Sequence, residues 1–439
     1  MENIRKNSAV TDIPTQDEGR IRAAYEMALH QYSRLGIDVA RAMNRVDEIP
    51  LSIHCWQGDD GTGFENPDAV LGGGLLATGN HPGKARTPDE LRQDLEAALA
   101  MIPGPSKVNL HAIYLDHPEG FVDRDAIEPR HYESWVRWAK GLGIGLDFNS
   151  TFYAHPKSRS GFTLSNRDAA VREFWIEHGK RCRRIGDYFG QETGMPCVTN
   201  LWIPDGEKEC PIDKTSPRER LADALDRIFS EKTDPRFQID AVESKLFGLG
   251  SESYVTGSHE FYMGYTMSRG NSLLTLDTGH FHPTEKVSDK LSSLMLHVPK
   301  GLLIHVSRPV RWDSDHVVLF DDELRAIMHE LVRIDRWDRT HLALDYFDAS
   351  IHRVTAWVVG ARNARKALLE ALLEPLDLLL SLEDTNENGN RMALAEELKT
   401  LPFGAVWDFY CLERGIPVGT DWIARATAYE KDCLARRIG

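Results

Sequence analysis

The chain has 439 residues, of which 41% are hydrophobic and 27% charged, and this composition excludes a disordered, collagen-like or coiled-coil protein. Its length exceeds the usual size of one domain, so we expect a large α/β barrel with additions or two to three ordinary domains. Acidic residues (67) outnumber basic residues (52), which leaves a net charge of −15. This surplus argues against nucleic acid or an anionic membrane as a partner.

The beginning of the chain is polar and acidic and lacks the apolar stretch of a signal peptide. No later run of uncharged apolar residues is long enough to predict a membrane-spanning helix. We therefore expect a cytoplasmic protein. Its six cysteines are scattered without a CxxC pair, which predicts free thiols and neither a disulfide framework nor a zinc ribbon.

Apolar residues recur at helical spacing over residues 19–46 and predict an N-terminal helix. Eight short apolar runs follow, each about the length of a buried strand, and helix start signals lie between them. The runs cover residues 51–56, 108–114, 144–149, 197–203, 238–243, 273–277, 302–306 and 342–347. Eight strands that alternate with helices favour a (β/α)₈ TIM barrel over an open doubly wound sheet.

The pattern predicts three parts of the chain: an N-terminal helical segment (1–47), the catalytic barrel (48–352) and an additional α-helical C-terminal region (353–439) that packs on the barrel or on a partner subunit. The predicted helices after the first cover residues 91–102, 165–188, 221–229, 324–334, 364–382 and 392–398. The stretch 57–86 has no helical period and is rich in glycine and polar residues. A loop of this length inside a compact domain is typical of a functional segment.

Polar and aromatic side chains lie in or just after the C-terminal parts of the predicted strands, and in a barrel the C-terminal strand ends converge on one mouth. In chain order these residues are His54, Cys55 and Trp56, then His111, Asp147, Asn149, Asn200, Trp202, Glu243, Lys245, Asp277, His280, His305 and Asp345. The loop after the seventh strand adds Asp313 and Asp315, which can direct two carboxylates at one point. Crowded carboxylates repel each other and need cations. Hard oxygens with two imidazoles suit Mn²⁺, Mg²⁺ or Co²⁺ better than structural zinc.

Each of these residues alone has a structural interpretation. A strand-end carboxylate can cap the following helix, and a lone histidine such as His54 or His341 can have a packing role. The tryptophans Trp56, Trp202 and Trp312 can be core residues or a wall on which a sugar stacks. Two other functions use the same barrel: a metal hydrolase or phosphodiesterase, and a sugar-binding protein without catalysis. The acidic net charge disfavours a phosphate substrate, and the large set of metal-ligand candidates disfavours a binding-only protein.

Five runs resemble the L-rhamnose isomerase family, and the resemblance extends over residues 25–437. The runs are HCWQGDD at 54–60, NLHAIYL at 109–115, AVESKLF at 241–247, GHFHPTE at 279–285 and VSRPVRWDSDH at 306–316. The resemblance implies a cytoplasmic (β/α)₈-barrel enzyme that interconverts L-rhamnose and L-rhamnulose in rhamnose catabolism. It also implies a homotetramer with a small-molecule sugar as its substrate.

The same resemblance implies two divalent-ion sites that share one ligand. The structural ion would be held by Glu243, Asp277, His305 and Asp345, and the catalytic ion by Glu243, His280, Asp313 and Asp315, with Glu243 as the bridge. Substrate contacts are implied for Trp56, His111, Trp202 and Lys245, and catalytic roles for Lys245, His111 and Asp313. The implied cofactor is Mn²⁺, with Zn²⁺, Co²⁺ or Mg²⁺ as alternatives at one site.

Overall fold

Eight parallel strands close into a barrel in the computed structural model, which describes residues 15–65, 77–118, 120–245, 253–310 and 315–437. The strands are β1 (Leu51–His54), β2 (Ser106–His111), β3 (Gly145–Asn149), β4 (Cys197–Trp202), β5 (Gln238–Glu243), β6 (Leu273–Asp277), β7 (Leu302–Val306) and β8 (Thr340–Leu344). Each strand pairs with the next one in the chain, and β8 pairs with β1, where Leu342 lies opposite Leu51. The predicted barrel and its eight strands are confirmed.

Helices surround the barrel and extend beyond it. They are α1 (Glu18–Ser33), α2 (Val39–Val46), α3 (Pro88–Leu99), α4 (Glu133–Leu142), α5 (Ala169–Thr193), α6 (Thr215–Ile228), α7 (His259–Arg269), α8 (Ser288–His297), α9 (Asp322–Ile334), α10 (Arg353–Leu372), α11 (Leu376–Asp384), α12 (Asn388–Leu398), α13 (Phe403–Glu413) and α14 (Asp421–Asp432). Short polar side chains begin several of them: the Thr87 side chain accepts from the Glu90 N–H at α3, and Asp321 accepts from the Leu324 N–H at α9. Among the described helices, none is long and apolar enough to cross a bilayer.

Two predicted helices are each divided in the structure. The segment 19–46 forms α1 and α2, because the chain turns at Gly36, whose φ of 75° lies in the left-handed region. The segment 364–382 divides between α10 and α11 just before Leu376, where Pro375 lacks the N–H that a continuous helix needs. The predicted helix at 392–398 begins earlier in the structure, since α12 starts at Asn388. The six cysteines are free thiols, as predicted.

The strands are buried because the barrel interior and the surrounding helices cover both of their faces; every residue of β3 and β7 is buried. Helix α10 directly follows the eighth strand and packs against α9, α3, α2 and β1. Its Arg365 side chain is buried, where it donates to the backbone carbonyls of Ile49 and Pro105. These hydrogen bonds fasten the helix to the N-terminal ends of the first two strands, away from the mouth that carries the polar residues.

The loop after β1 contains a buried carboxyl group, that of Asp59, which accepts from the Tyr114 hydroxyl at 2.8 Å and the Gly63 N–H at 2.7 Å. Burial raises the pKa of Asp59 to about 6, although these hydrogen bonds oppose the shift. The folded protein therefore retains this proton between about pH 4 and pH 6, where the unfolded chain has lost it. The contribution of this group to the free energy of unfolding therefore falls by about 3 kcal/mol in total as the pH rises through that window.

Asp59→Asn removes this titration with little change of shape. We therefore expect the unfolding free energy of the wild type, relative to that of Asp59→Asn, to fall by about 3 kcal/mol between pH 4 and pH 7. Urea unfolding of both proteins across this range measures the difference. A difference that is constant with pH would show that the Asp59 carboxyl group has the same pKa in the folded and unfolded chains.

Candidate metal centre

Carboxylates and imidazoles from four neighbouring strand ends meet at the C-terminal mouth of the barrel. The side chains form two groups, and within each group the possible ligand atoms all lie within 4.8 Å of one another. The first group is Glu243, Asp277, His305 and Asp345, and the second group is Asp277, His280 and Asp315. Because β5 to β8 are parallel neighbours, their last residues arrive at one edge of the barrel, as the sequence pattern predicted.

Asp277 belongs to both groups, and its two oxygens have different surroundings. Oδ1 accepts hydrogen bonds from the Gly279 N–H at 2.8 Å and from the Ser307 hydroxyl at 2.7 Å. Oδ2 has no hydrogen-bond partner within the described part of the chain. It lies 3.8 Å from Nε2 of His280 and 3.9 Å from Nδ1 of His305. Oδ2 is therefore the atom that faces both groups.

Glu243 lies on the side of the first group. Its Oε2 accepts from the Asn200 side-chain amide at 2.6 Å and is 3.4 Å from Nδ1 of His305. Its Oε1 is 3.7 Å from Nδ1 of His280, which also contacts the Ser244 carbonyl at 3.0 Å, so Nε2 of that ring is left to face the second group. Within the described residues the carboxylate common to both groups is thus Asp277, whereas the family resemblance gave the bridging position to Glu243.

The electrostatics of the centre fit a divalent cation. Burial, together with the Asp315 and Asp345 carboxylates, raises the pKa of Asp277 well above its usual value. Burial lowers the pKa of His305, but the carboxylates of the first group more than offset this and leave it well above its usual value. Both shifts show an excess of negative charge in a buried space. A bound cation would neutralise that excess, and the orphaned Oδ2 of Asp277 offers it a ligand.

The second group offers a neutral imidazole. Burial and the nearby Lys245 ammonium group lower the pKa of His280 well below its usual value, so the ring is uncharged near neutral pH. Asp315 joins this group, but Asp313 lies outside the described residues, and its role as a ligand and catalytic residue stays a prediction. Trp312 and part of the loop 57–86 lie outside them as well.

A cavity opens beside the two groups and brings the predicted substrate-contacting residues together. It is lined by Trp56, His111, Asn149, Tyr153, Trp202, Glu243, Lys245, His280, Asp315, Asp345 and Phe347. The Lys245 ammonium nitrogen lies 6.0 Å from the centre of the Trp202 ring. The indole N–H of Trp56 donates to Oδ1 of Asp345 at 2.9 Å, so this wall of the cavity is attached to a residue of the first group.

The His111 ring lies between two polar side chains, one at the end of β3 and one in the loop after β3. Its Nδ1 is 3.1 Å from the Thr151 hydroxyl, and its Nε2 is 3.4 Å from the Asn149 side-chain nitrogen. Burial lowers the pKa of His111 to about 3, so the ring is neutral and serves as a hydrogen-bonding group. Its neighbour Tyr153 makes ring contacts with both His111 and Trp202.

The sequence interpretation missed three residues of this region and the role of a fourth. Tyr153 lies in the loop after β3, beyond any periodic signal, and Ser307 follows β7 as an ordinary polar residue. Phe347 was included in a predicted strand, and the two-residue spacing from Asp345 is the signal that could have placed it on the same face. Asn200 was noted at a strand end, but its contact with Glu243 depends on side-chain geometry.

A closed parallel barrel with paired carboxylate and imidazole groups at its C-terminal mouth is typical of barrel enzymes whose active sites can hold divalent metal ions. The sequence model of L-rhamnose isomerase matches residues 19–437. The chain is 56% identical over 418 residues to the L-rhamnose isomerases of Salmonella paratyphi A and Salmonella newport, which covers 95% of this chain and 99% of each relative. The chain belongs to the L-rhamnose isomerase family, and the isomerase class expected from the resemblance is confirmed.

A structure of an L-ribulose 3-epimerase aligns with 73% of this chain and 95% of its own, with a TM-score of 0.47 and 14% sequence identity. A D-allulose 3-epimerase from Methylomonas sp. aligns with 75% of this chain and 97% of its own, with a TM-score of 0.44 and 11% identity.

Proposed function

We propose that this chain interconverts L-rhamnose and L-rhamnulose in the cavity at the barrel mouth. One observation carries the proposal: in a member of this family, two carboxylate and imidazole groups that share Asp277 open onto a cavity that also holds Lys245 and His111. Metal ligands, hydrogen-bonding groups and aromatic side chains are thus in reach of one small polar molecule.

Isomerisation of an aldose to a ketose requires polarised substrate oxygens in a site that excludes water. An aldose and its ketose differ by one hydrogen moved between C1 and C2 and one proton moved between O1 and O2. A divalent cation held by these groups supplies a Lewis acid for the two oxygens. The Lys245 ammonium group is buried, so a hydrogen bond from it to O1 stabilises negative charge there more strongly than it would in water. The neutral His111 ring hydrogen-bonds a sugar hydroxyl and orients the chain of the sugar.

The donor set supports Mn²⁺ as the ion at both sites, with Zn²⁺, Co²⁺ or Mg²⁺ as alternatives at one of them. Each group offers carboxylate oxygens and a single imidazole, which suits hard divalent ions. The first group provides four ligands. The second group provides three within the described residues, and Asp313 is proposed as its fourth.

The aromatic residues are proposed to hold the carbon face of the sugar. Trp56 and Trp202, with Tyr153 and Phe347, line the cavity around the polar groups. Because the Trp56 indole is hydrogen-bonded to Asp345, its ring orientation is fixed before substrate arrives. A rigid aromatic wall excludes water and accommodates the apolar C6 methyl group of a 6-deoxy sugar.

We also propose a homotetramer in the cytoplasm, which the family resemblance supports. Light scattering coupled to gel filtration measures the mass of the assembly directly, and a mass of one or two chains would contradict the tetramer.

The proposed activity is tested by incubating the protein with Mn²⁺ and a panel of aldoses and measuring ketose and product mass. We expect L-rhamnose to give a ketose of unchanged mass. A product heavier by one water would instead indicate a metal hydrolase, and metal-dependent sugar binding without turnover would indicate a binding protein.

We expect L-rhamnose to be preferred over L-mannose, its analogue with a hydroxyl group on C6. The preference should be limited to about 10²-fold, because an apolar surface rejects an added hydroxyl only modestly. The ratio of kcat/KM values for the two sugars measures it. Equal values, or faster turnover of L-mannose, would mean that no methyl-binding surface exists.

A further inference from the structure

The Asp277 carboxylate, which the two groups share, is held in its orientation through one oxygen, Oδ1. The hydrogen bonds from Gly279 and Ser307 both end on Oδ1 of Asp277, so that Oδ2 faces the two groups. Rotation of the carboxylate would break both hydrogen bonds within a buried space, where a lost hydrogen bond is costly. The Ser307 hydroxyl is the only side chain among the described residues with a hydrogen bond to this oxygen.

Ser307 is itself held in place by the residue after Asp277. The Ser307 N–H donates to the Thr278 hydroxyl at 2.8 Å, and that hydroxyl donates to the Ser307 carbonyl at 2.6 Å. Ser307 and Thr278 are both buried. The backbone contacts do not use the Ser307 side chain, so its single hydroxyl hydrogen is available to Asp277. The ends of β6 and β7 are thus joined at the point where the shared carboxylate emerges.

We propose that Ser307 is a positioning residue that orients Asp277 and thereby sets the affinity of both ion sites; this inference rests on the proposed function. Residues that hydrogen-bond a metal ligand fix its orientation, and their loss typically weakens metal binding by about 10–100-fold. Ser307 acts on two ions, because Oδ2 of Asp277 faces both groups.

Asn200 provides the contrast. The side-chain NH₂ group of Asn200 donates to Oε2 of Glu243, and its side-chain oxygen Oδ1 accepts a hydrogen bond from the Thr275 hydroxyl at 2.9 Å. Glu243 belongs to the first group only. Removal of the Asn200 side chain should therefore weaken one ion, whereas removal of the Ser307 hydroxyl should weaken both.

The experiment is a calorimetric titration of chelated, substrate-free protein with Mn²⁺. We expect two ions to bind the wild type, both to bind Ser307→Ala about 10–100-fold more weakly, and only one to be weakened in Asn200→Ala. Ser307→Thr keeps the hydroxyl group and should restore wild-type affinities. The matched control is Ser52→Ala, which removes a buried serine hydroxyl on β1 without a hydrogen-bond partner in the described residues and should leave both affinities unchanged.

Wild-type affinities at both sites of Ser307→Ala, or a loss at only one of them, would overturn the inference and leave the proposed function intact. Failure of the wild type to bind any divalent ion would overturn the proposed function as well. Ser307→Gly removes the same hydroxyl group and replaces Ser307→Ala in the titration if circular dichroism shows that the alanine variant does not fold.

Discussion

Asp277→Asn is expected to release both ions and to lower isomerase activity by at least about 10³-fold, because several kcal/mol of transition-state stabilisation by the ions would be lost. The amide keeps the shape of the carboxylate but has one oxygen. Two donors, the Gly279 N–H and the Ser307 hydroxyl, hold that oxygen at the Oδ1 position. The amide NH₂ group must then face both groups and repel the cations.

Metal content after dialysis separates Asp277 from its neighbours. Elemental analysis should find about two ions per chain in the wild type, none in Asp277→Asn, and one in Glu243→Gln or Asp345→Asn, because the last two residues belong to the first group only. Loss of both ions from Glu243→Gln, with one retained in Asp277→Asn, would return the bridging role to Glu243, as the family resemblance implies.

Lys245→Met is expected to lower kcat by about 10²–10³-fold with little change in metal content. The substitution keeps the length of the side chain but removes the ammonium group that is proposed to hydrogen-bond O1. The matched control is Lys140→Met, which removes a surface ammonium group paired with Glu192 on the outer helices and should leave kcat unchanged. A kcat for Lys245→Met within tenfold of the wild type would assign this lysine to the wall of the cavity and not to the reaction.

The strands and the ligand set could be predicted from sequence because both depend on local patterns. A parallel barrel strand is buried on both faces, so it appears as a short apolar run, and its polar end marks the mouth. The break at Gly36 was missed because the residues on both sides of it continue the helical spacing of apolar side chains. A single glycine in such a pattern does not by itself show that the chain turns.

The roles within the centre could not be predicted in the same way. Glu243 and Asp277 end neighbouring strands, with Glu243 opposite Thr275, and sequence spacing does not show which oxygen faces which imidazole. That choice depends on side-chain torsions, and these are set by hydrogen bonds from Ser307 and Asn200, which come from other strands. Tyr153 was missed for a related reason, since its position in the cavity follows from the path of a loop and not from a periodic pattern.

The dependence of the isomerase reaction on a divalent metal ion is tested most directly by removing the metal and restoring it. The protein is treated with a chelator, dialysed and assayed with L-rhamnose before and after addition of Mn²⁺, with the ketose as the measured product. We expect no ketose from the stripped protein and full recovery of ketose formation with Mn²⁺. The buried carboxylates of both groups can bind the substrate oxygens only through a cation. Full activity in the stripped protein would show that the reaction does not depend on a divalent metal ion.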